Sequence, residues 1–158
     1  MKQVLLLLVL LPLLTTACSK DEESSEQTFF VNVYTKWENE EEELSKNALL
    51  YIFANENKSI DANQSTVSVT EDGVITYTDG SKSSTPVYAT KYQPGVFNIE
   101  KMPNGEYILW VTHMEDYGGV CYSSYKKISV NEDYRGTSEK KVFLLSSEDR
   151  GLNIYQNW

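Results

Sequence analysis

Few side chains in this 158-residue sequence could do covalent, acid–base or metal chemistry: two cysteines, a single histidine and a run of carboxylates. A general base needs a nucleophile oriented beside it, and no Gly-x-Ser-x-Gly turn offers one, so His113 reads as a packing or capping residue. Zinc needs three or four ligands, and His113 with Cys121 supplies two. Glu38, Glu40, Glu41, Glu42 and Glu43 could attract Ca²⁺. Without spaced Asp or Asn positions and a turn glycine, they read as a solvated loop. Cys121 has no activating neighbour in sequence and reads as a small buried hydrophobe. The sequence therefore predicts no catalytic residue, no metal and no cofactor. Cys18 differs, because it follows a short basic start, Met1-Lys2-Gln3, and an apolar run from Val4 to Leu14. That run is too short to span a bilayer permanently and has the form of a secretion signal.

The segment Leu14-Thr15-Thr16-Ala17-Cys18 resembles the lipobox of bacterial lipoproteins, with Ala17 the small residue before the cut. The resemblance implies that residues 1–17 are a removed signal peptide. Cys18 would be diacylated on sulfur, freed by cleavage and acylated again on its new amine. One acyl chain anchors only marginally, so several on one residue give lasting membrane attachment. An ordinary signal peptide followed by an incidental cysteine is the competing reading. Ser19-Lys20-Asp21-Glu22-Glu23 resembles the Cys-x-Lys-(Asp/Glu)₂ export signal of lipoproteins in one Gram-negative phylum. That resemblance implies that Ser19, Lys20, Asp21 and Glu22 send an outer-membrane lipoprotein to the cell exterior. A merely solvated acidic linker would leave the domain on the periplasmic face. Residues 18–27 contain no apolar side chain after Cys18, and read as a flexible tether reaching roughly 30 Å.

Loss of residues 1–17 would leave 141 residues, enough for one domain with its own core. With Lys2 gone, 13 basic residues face 23 acidic ones, a net charge of −10. Nucleic acid and anionic membrane surfaces need a basic footprint, so both are excluded as partners. With Cys18 lipidated, Cys121 has no disulfide partner, and stability must come from the core.

The rest reads as strands. Thr28 to Thr35 is β-branched and aromatic, and Ala48 to Ala54 is a short apolar run. Thr66 to Thr70 and Val74 to Thr78 alternate around Glu71-Asp72-Gly73, a hairpin signal. Val87 to Tyr92, Val96 to Ile99, Tyr107 to Thr112, Tyr122 to Val130 and Lys141 to Leu144 complete the set. Turns are expected at Asp79-Gly80, Pro94-Gly95, Pro103-Asn104-Gly105 and Gly118-Gly119. Only Glu40 to Asn47 suits a helical turn or two. Short strands at regular spacing predict an all-β, antiparallel sandwich of about seven to nine strands over residues 28–145, with residues 146–158 packing on it.

One stretch carries a family resemblance. Gly95-Val-Phe97-Asn-Ile99-Glu-Lys-Met102-Pro103-Asn-Gly105-Glu-Tyr107-Ile-Leu109-Trp-Val111 resembles the G-x-F-x-I-x-x-[LM]-P-x-G-x-Y-x-L-x-V signature of prealbumin-like sandwiches. These are the carboxypeptidase regulatory-like, Cna-B-type and transthyretin-like modules. The second strand of that family resembles Leu44-Ser-Lys-Asn-Ala48-Leu-Leu50-Tyr-Ile52, and its closing strand resembles Lys140 to Leu144. The acidic insertion from Trp37 to Leu44 departs from the short Gly-containing turn usual there. Anchor subunits of lipoprotein-based fimbriae have similar N-terminal halves in longer chains. Tyr134-Arg135-Gly136-Thr137 resembles the terminal Tyr-Arg-Gly-Ser of transthyretin-like hydroxyisourate hydrolases. Those enzymes place it at the chain end and pair it with further His and Arg residues, so here it reads as a turn.

Two strands are apolar on both faces. If Ala48, Leu50 and Ile52 point inward, Leu49, Tyr51 and Phe53 point out; if Tyr107, Leu109 and Val111 point inward, Ile108 and Trp110 point out. Such a patch is either covered or used. The expected cover is the C-terminal segment, with Leu152, Ile154, Tyr155 and Trp158. Left open, Trp110, Tyr51 and Phe53 would form a platform for a sugar ring or a partner strand. Two functions follow: a non-catalytic surface lipoprotein for adhesion or assembly with protein partners, or a glycan-binding lipoprotein using that aromatic patch.

Overall fold

The computed structural model describes residues 25–60, 73–115, 119–149 and 153–158. Among them run nine strands: β1 (Glu26–Trp37), β2 (Glu43–Leu44), β3 (Ala48–Ala54), β4 (Tyr88–Ala89), β5 (Val96–Pro103), β6 (Gly105–Met114), β7 (Cys121–Val130), β8 (Ser138–Leu145) and β9 (Asn153–Tyr155). A single 3-10 turn, Glu132–Tyr134, separates β7 from β8. The period-two alternation of β-branched and aromatic residues sends one set of side chains to a shared interior. Phe29, Val31 and Val33 of β1, Phe97 and Ile99 of β5 and Phe143 of β8 meet Leu50 and Ile52 of β3, Leu109 and Val111 of β6 and Tyr122 and Ile128 of β7. The fold is an all-β sandwich.

One sheet holds β2, β1, β5 and β8, and the other runs β4-β3-β6-β7-β9. The expectation of a purely antiparallel sandwich is corrected by two parallel pairings, β1 with β8 and β7 with β9. The cause lies in how the chain changes sheets. β7 ends beside the start of β1, crosses to the first sheet through residues 131–137, and so starts β8 in the same direction as β1. Pro103-Asn104 likewise reverses the chain between sheets and not within one, since β5 pairs β1 while β6 pairs β3 and β7.

The strand registers define two poles. At one, Glu26 faces Pro103, Gly105 faces Val130, and Ser138 begins β8 against Phe30. There Gln27, fully buried, receives Arg135 Nε at 3.1 Å and donates to Asn104 Oδ1 at 3.1 Å. Glu26 and Gln27, which fall within the tether expected over 18–27, belong to β1, and residues 18–24 of that stretch lie outside the described residues. Tyr134-Arg135-Gly136-Thr137 builds this pole too: Tyr134 packs edge-on against Phe29, with centroids 5.0 Å apart, and its hydroxyl donates to Glu139 at 2.7 Å. At the other pole lie Trp37 beside Leu145, Ala48 beside His113 and Met114 beside Cys121.

Three local expectations are corrected. Glu40 to Asn47 forms no helical turn; Glu43 and Leu44 pair with Thr35 and Tyr34 as β2. Val74 to Thr78 makes only isolated bridges, Ile60 with Tyr77 and Thr76 with Lys82, and its expected partner Thr66 to Thr70 lies outside the described residues. The 87–92 strand shrinks to Tyr88–Ala89. The Asp79-Gly80 turn forms, with Gly80 at φ +79 and its N–H on Tyr77 O at 2.9 Å.

Edge β8 carries an inward charge. Lys141 is only 4% exposed; its ammonium lies 5.1 Å from the Phe143 ring and donates to the Asn157 carbonyl. Burial pushes it down to about 8 from the ordinary 10.5. A lysine with a depressed folded pKa leaves the unfolded chain binding more protons between those values, so stability should rise with pH across that window. The buried Cys121 thiol, raised by desolvation, opposes this rise from about pH 8.5, because the unfolded chain loses that proton first. Near pH 10 the Tyr122 and Tyr134 hydroxyls, also raised by burial, reverse the trend. Urea melts from pH 7.5 to 9.5 should show a net gain of about 1 kcal/mol, the Lys141 rise less the Cys121 loss. Lys141→Met should abolish it; an identical slope in the variant would assign the rise to other groups.

Candidate functional site

The residues expected to form an outer platform come together but are covered. Trp110 is 4% exposed, and Tyr51 and Phe53 are each 1% exposed. They cluster with Leu49 and Ile108 beneath Ile75 and Tyr77, with Ile60, Tyr92 and Tyr125 at the margin. The expected cover was the C-terminal segment; among the described residues this face is instead covered from the β3–β4 connection, by Ile60, Ile75 and Tyr77. Gly73 brings the backbone so close that an added Cβ would lie 2.8 Å from the Tyr51 ring. The C-terminal segment does something else. β9 extends the second sheet at β7, the Gln156 side chain pairs with both Leu144 N and Leu144 O, and Ile154 and Trp158 pack on the central core. Tyr155 reaches the outer face, 5.8 Å from Tyr125. Leu152 lies outside the described residues, as do Cys18, Ser19, Lys20, Asp21 and Glu22.

His113 sits at the end of β6, nearly buried, and forms a three-ring cluster with Tyr122 and Phe143, each pair of centroids 6.1–6.4 Å apart. Its Nδ1 lies 2.8 Å from Ser45 Oγ and its Nε2 2.9 Å from Glu115 Oε1. Serine, histidine and glutamate in a row invite comparison with a nucleophilic triad. Here, however, the hydroxyl is buried within the sandwich edge and also accepts the Asn47 N–H at 3.3 Å. A substrate carbonyl has no approach to it. What the arrangement does is tie the entry of β3 to the exit of β6 and fix the orientation of the Glu115 carboxylate.

That carboxylate opens onto a cavity of about 240 Å³ lined by Thr35, Trp37, Glu40, Glu41, Glu43, Leu44, Lys46, Asn47, His113, Met114 and Glu115. β1 supplies the Trp37 wall, β2 and its flanking loop the acidic rim, and the end of β6 the floor. Sequence reading identified the carboxylate run but not the site. Trp37 at the head of that run was the available signal; nothing in the sequence links Ser45 to His113, 68 positions apart. Among the described residues no group of three His, Cys, Asp or Glu is placed to hold a metal ion. Cys121 is free and buried, and burial raises its thiol above the ordinary value.

No protein-family model matches the chain, and no curated protein matches it either.

Proposed function

We propose that this chain is a non-catalytic lipoprotein anchored in the outer membrane through acyl chains on Cys18, whose prealbumin-like sandwich engages protein partners at the cell surface for adhesion or assembly. The observation that carries the reading is the separation of the poles. The chain joins the sandwich at Ser25–Glu26, and β1 runs from there for 12 residues to Trp37, about 36 Å at ordinary strand rise. A protein tethered at its first strand presents the opposite pole outward, and that pole carries the cavity. The 95–111 signature supports the prealbumin-like assignment, since Phe97, Ile99, Tyr107, Leu109 and Val111 all enter one core. The alternative of a glycan platform on Trp110, Tyr51 and Phe53 lacks an exposed surface at those residues.

The test is proteinase treatment of intact cells expressing the chain or its Lys20→Ala/Asp21→Ala/Glu22→Ala variant, with labelled palmitate incorporation followed in parallel. The expected result is label that disappears in Cys18→Ser, and a chain that is shaved while the export variant is protected. Protection of both on intact cells, with loss of both after lysis, would put the domain on the periplasmic face and sink the surface reading.

A further inference from the structure

We infer that the cavity at the tether-distal pole binds a lysine or arginine side chain offered by a partner protein. The partner rests on the surface reading above; the chemistry of the site does not. Trp37 and Leu44 are 37% and 36% exposed, and both line the same concavity. Single exposed apolar residues are ordinary, but Leu44 lining one cavity with Met114 offers a surface for the aliphatic stem of a ligand, and the Trp37 indole a ring face for its charge. Glu40, Glu41 and Glu43 on the rim make no ion pair among the described residues, whereas Glu42, which does not line the cavity, is neutralised by Lys140. Lys46 is the one ammonium on the lining.

Charge complementarity therefore selects a cation. A neutral sugar could stack on Trp37 yet would leave the carboxylates without a counter-charge, and an acidic ligand would be repelled. A long basic side chain uses every wall: its methylenes lie on Leu44 and Met114, and its charge sits against the Trp37 ring, an arrangement favourable within about 6 Å of the ring centroid. The carboxylates of Glu43 and Glu115 complete the pairing. Glu115 is oriented beforehand, because the imidazole that holds it is itself fixed by Ser45 and packs in a three-ring cluster with Tyr122 and Phe143. That removes part of the ordering cost that weakens exposed ion pairs.

The experiment titrates the purified full-length chain, in detergent, with an acetylated hexalysine peptide at low ionic strength, following heat and tryptophan emission. Trp37→Ala and the pair Glu43→Gln/Glu115→Gln are each expected to weaken binding roughly tenfold, with Trp37→Phe keeping most of it. Glu132→Gln/Asp133→Asn removes the same number of charges at the tether pole, and should change affinity by no more than about twofold. Circular dichroism confirms that each variant is folded. Equal weakening by both charge pairs would mean that only net acidity attracts the peptide, and the site falls. So it does if hexalysine fails to bind, or if a neutral disaccharide such as cellobiose binds in its place. None of these readouts involves Cys18 or Lys20, so failure of this site and failure of the surface reading are separable.

Discussion

Replacing Trp110 with alanine should cost this protein about 3–5 kcal/mol, the range for truncating a large buried aromatic side chain. Trp110 is packed on every side. It stacks on Tyr125 at 5.7 Å with rings 10° from parallel, pairs across the strands with Tyr51, and lies under Ile75 and Tyr77. The Tyr51, Phe53 and Tyr125 rings are held by backbone ladders on β3 and β7, which limits their collapse into the space an indole leaves. In a domain of this size the loss should lower Tm by roughly 10–20 °C. Trp110→Phe should be far milder: it keeps most of the apolar contact and removes an indole N–H that has no hydrogen-bond partner among the described residues. Urea melts of both variants check this. If Trp110→Ala unfolds within ~0.5 kcal/mol of the parent, as exposed positions do, the outer face is open and the sugar-platform reading returns.

Gly95→Ala should be the most damaging conservative change in the chain, at about 3 kcal/mol, the upper end for forced overpacking. Gly95 lies in the turn before β5, where its carbonyl accepts the Val33 N–H at 2.7 Å and its N–H donates to Ser45 O at 2.8 Å. A Cβ here would lie 2.3 Å from the Val33 carbonyl oxygen, a backbone atom that β1 holds in place. Either β1 or the turn must move, and moving the turn pulls Ser45 away from His113. Gly80→Ala is the contrast. Gly80 has φ +79 but nothing within 4 Å, so only left-handed strain of about 1–2 kcal/mol is expected. Denaturant midpoints should rank Gly95→Ala well below Gly80→Ala. The reverse order would show that the chain relieves the Val33 contact easily.

The difference between these two glycines marks where sequence reading runs out. Both were legible as turn residues, from Asp79-Gly80 and Pro94-Gly95. Only the packing of β1 against the second turn makes one of them sterically obligatory. The same division holds for the strands. Alternation in Thr28 to Thr35 and Tyr107 to Thr112 was enough to name the inward residues, because side-chain direction in a strand is a local property with a period of two. The two-sided apolar character of Ala48 to Ala54 was equally plain, and it correctly implied that the outer face must be covered or used.

Sequence alone, then, determined the all-β class, which residues line the core and the acidic net charge, because each follows from composition or from neighbours along the chain. Tertiary structure decided which strands run parallel, since that depends on the pole at which the chain changes sheets and leaves no trace in the hydrophobic pattern. It also decided that Ile75 and Tyr77, from the β3–β4 connection, cover Trp110, Tyr51 and Phe53, while residues 153–156 pair with β7 and β8. And it brought Ser45 to His113, and His113 and Glu115 to the cavity that Trp37 lines. Those contacts join residues far apart along the chain, and only the pairing of β3 with β6 and of β1 with β2 brings them within reach.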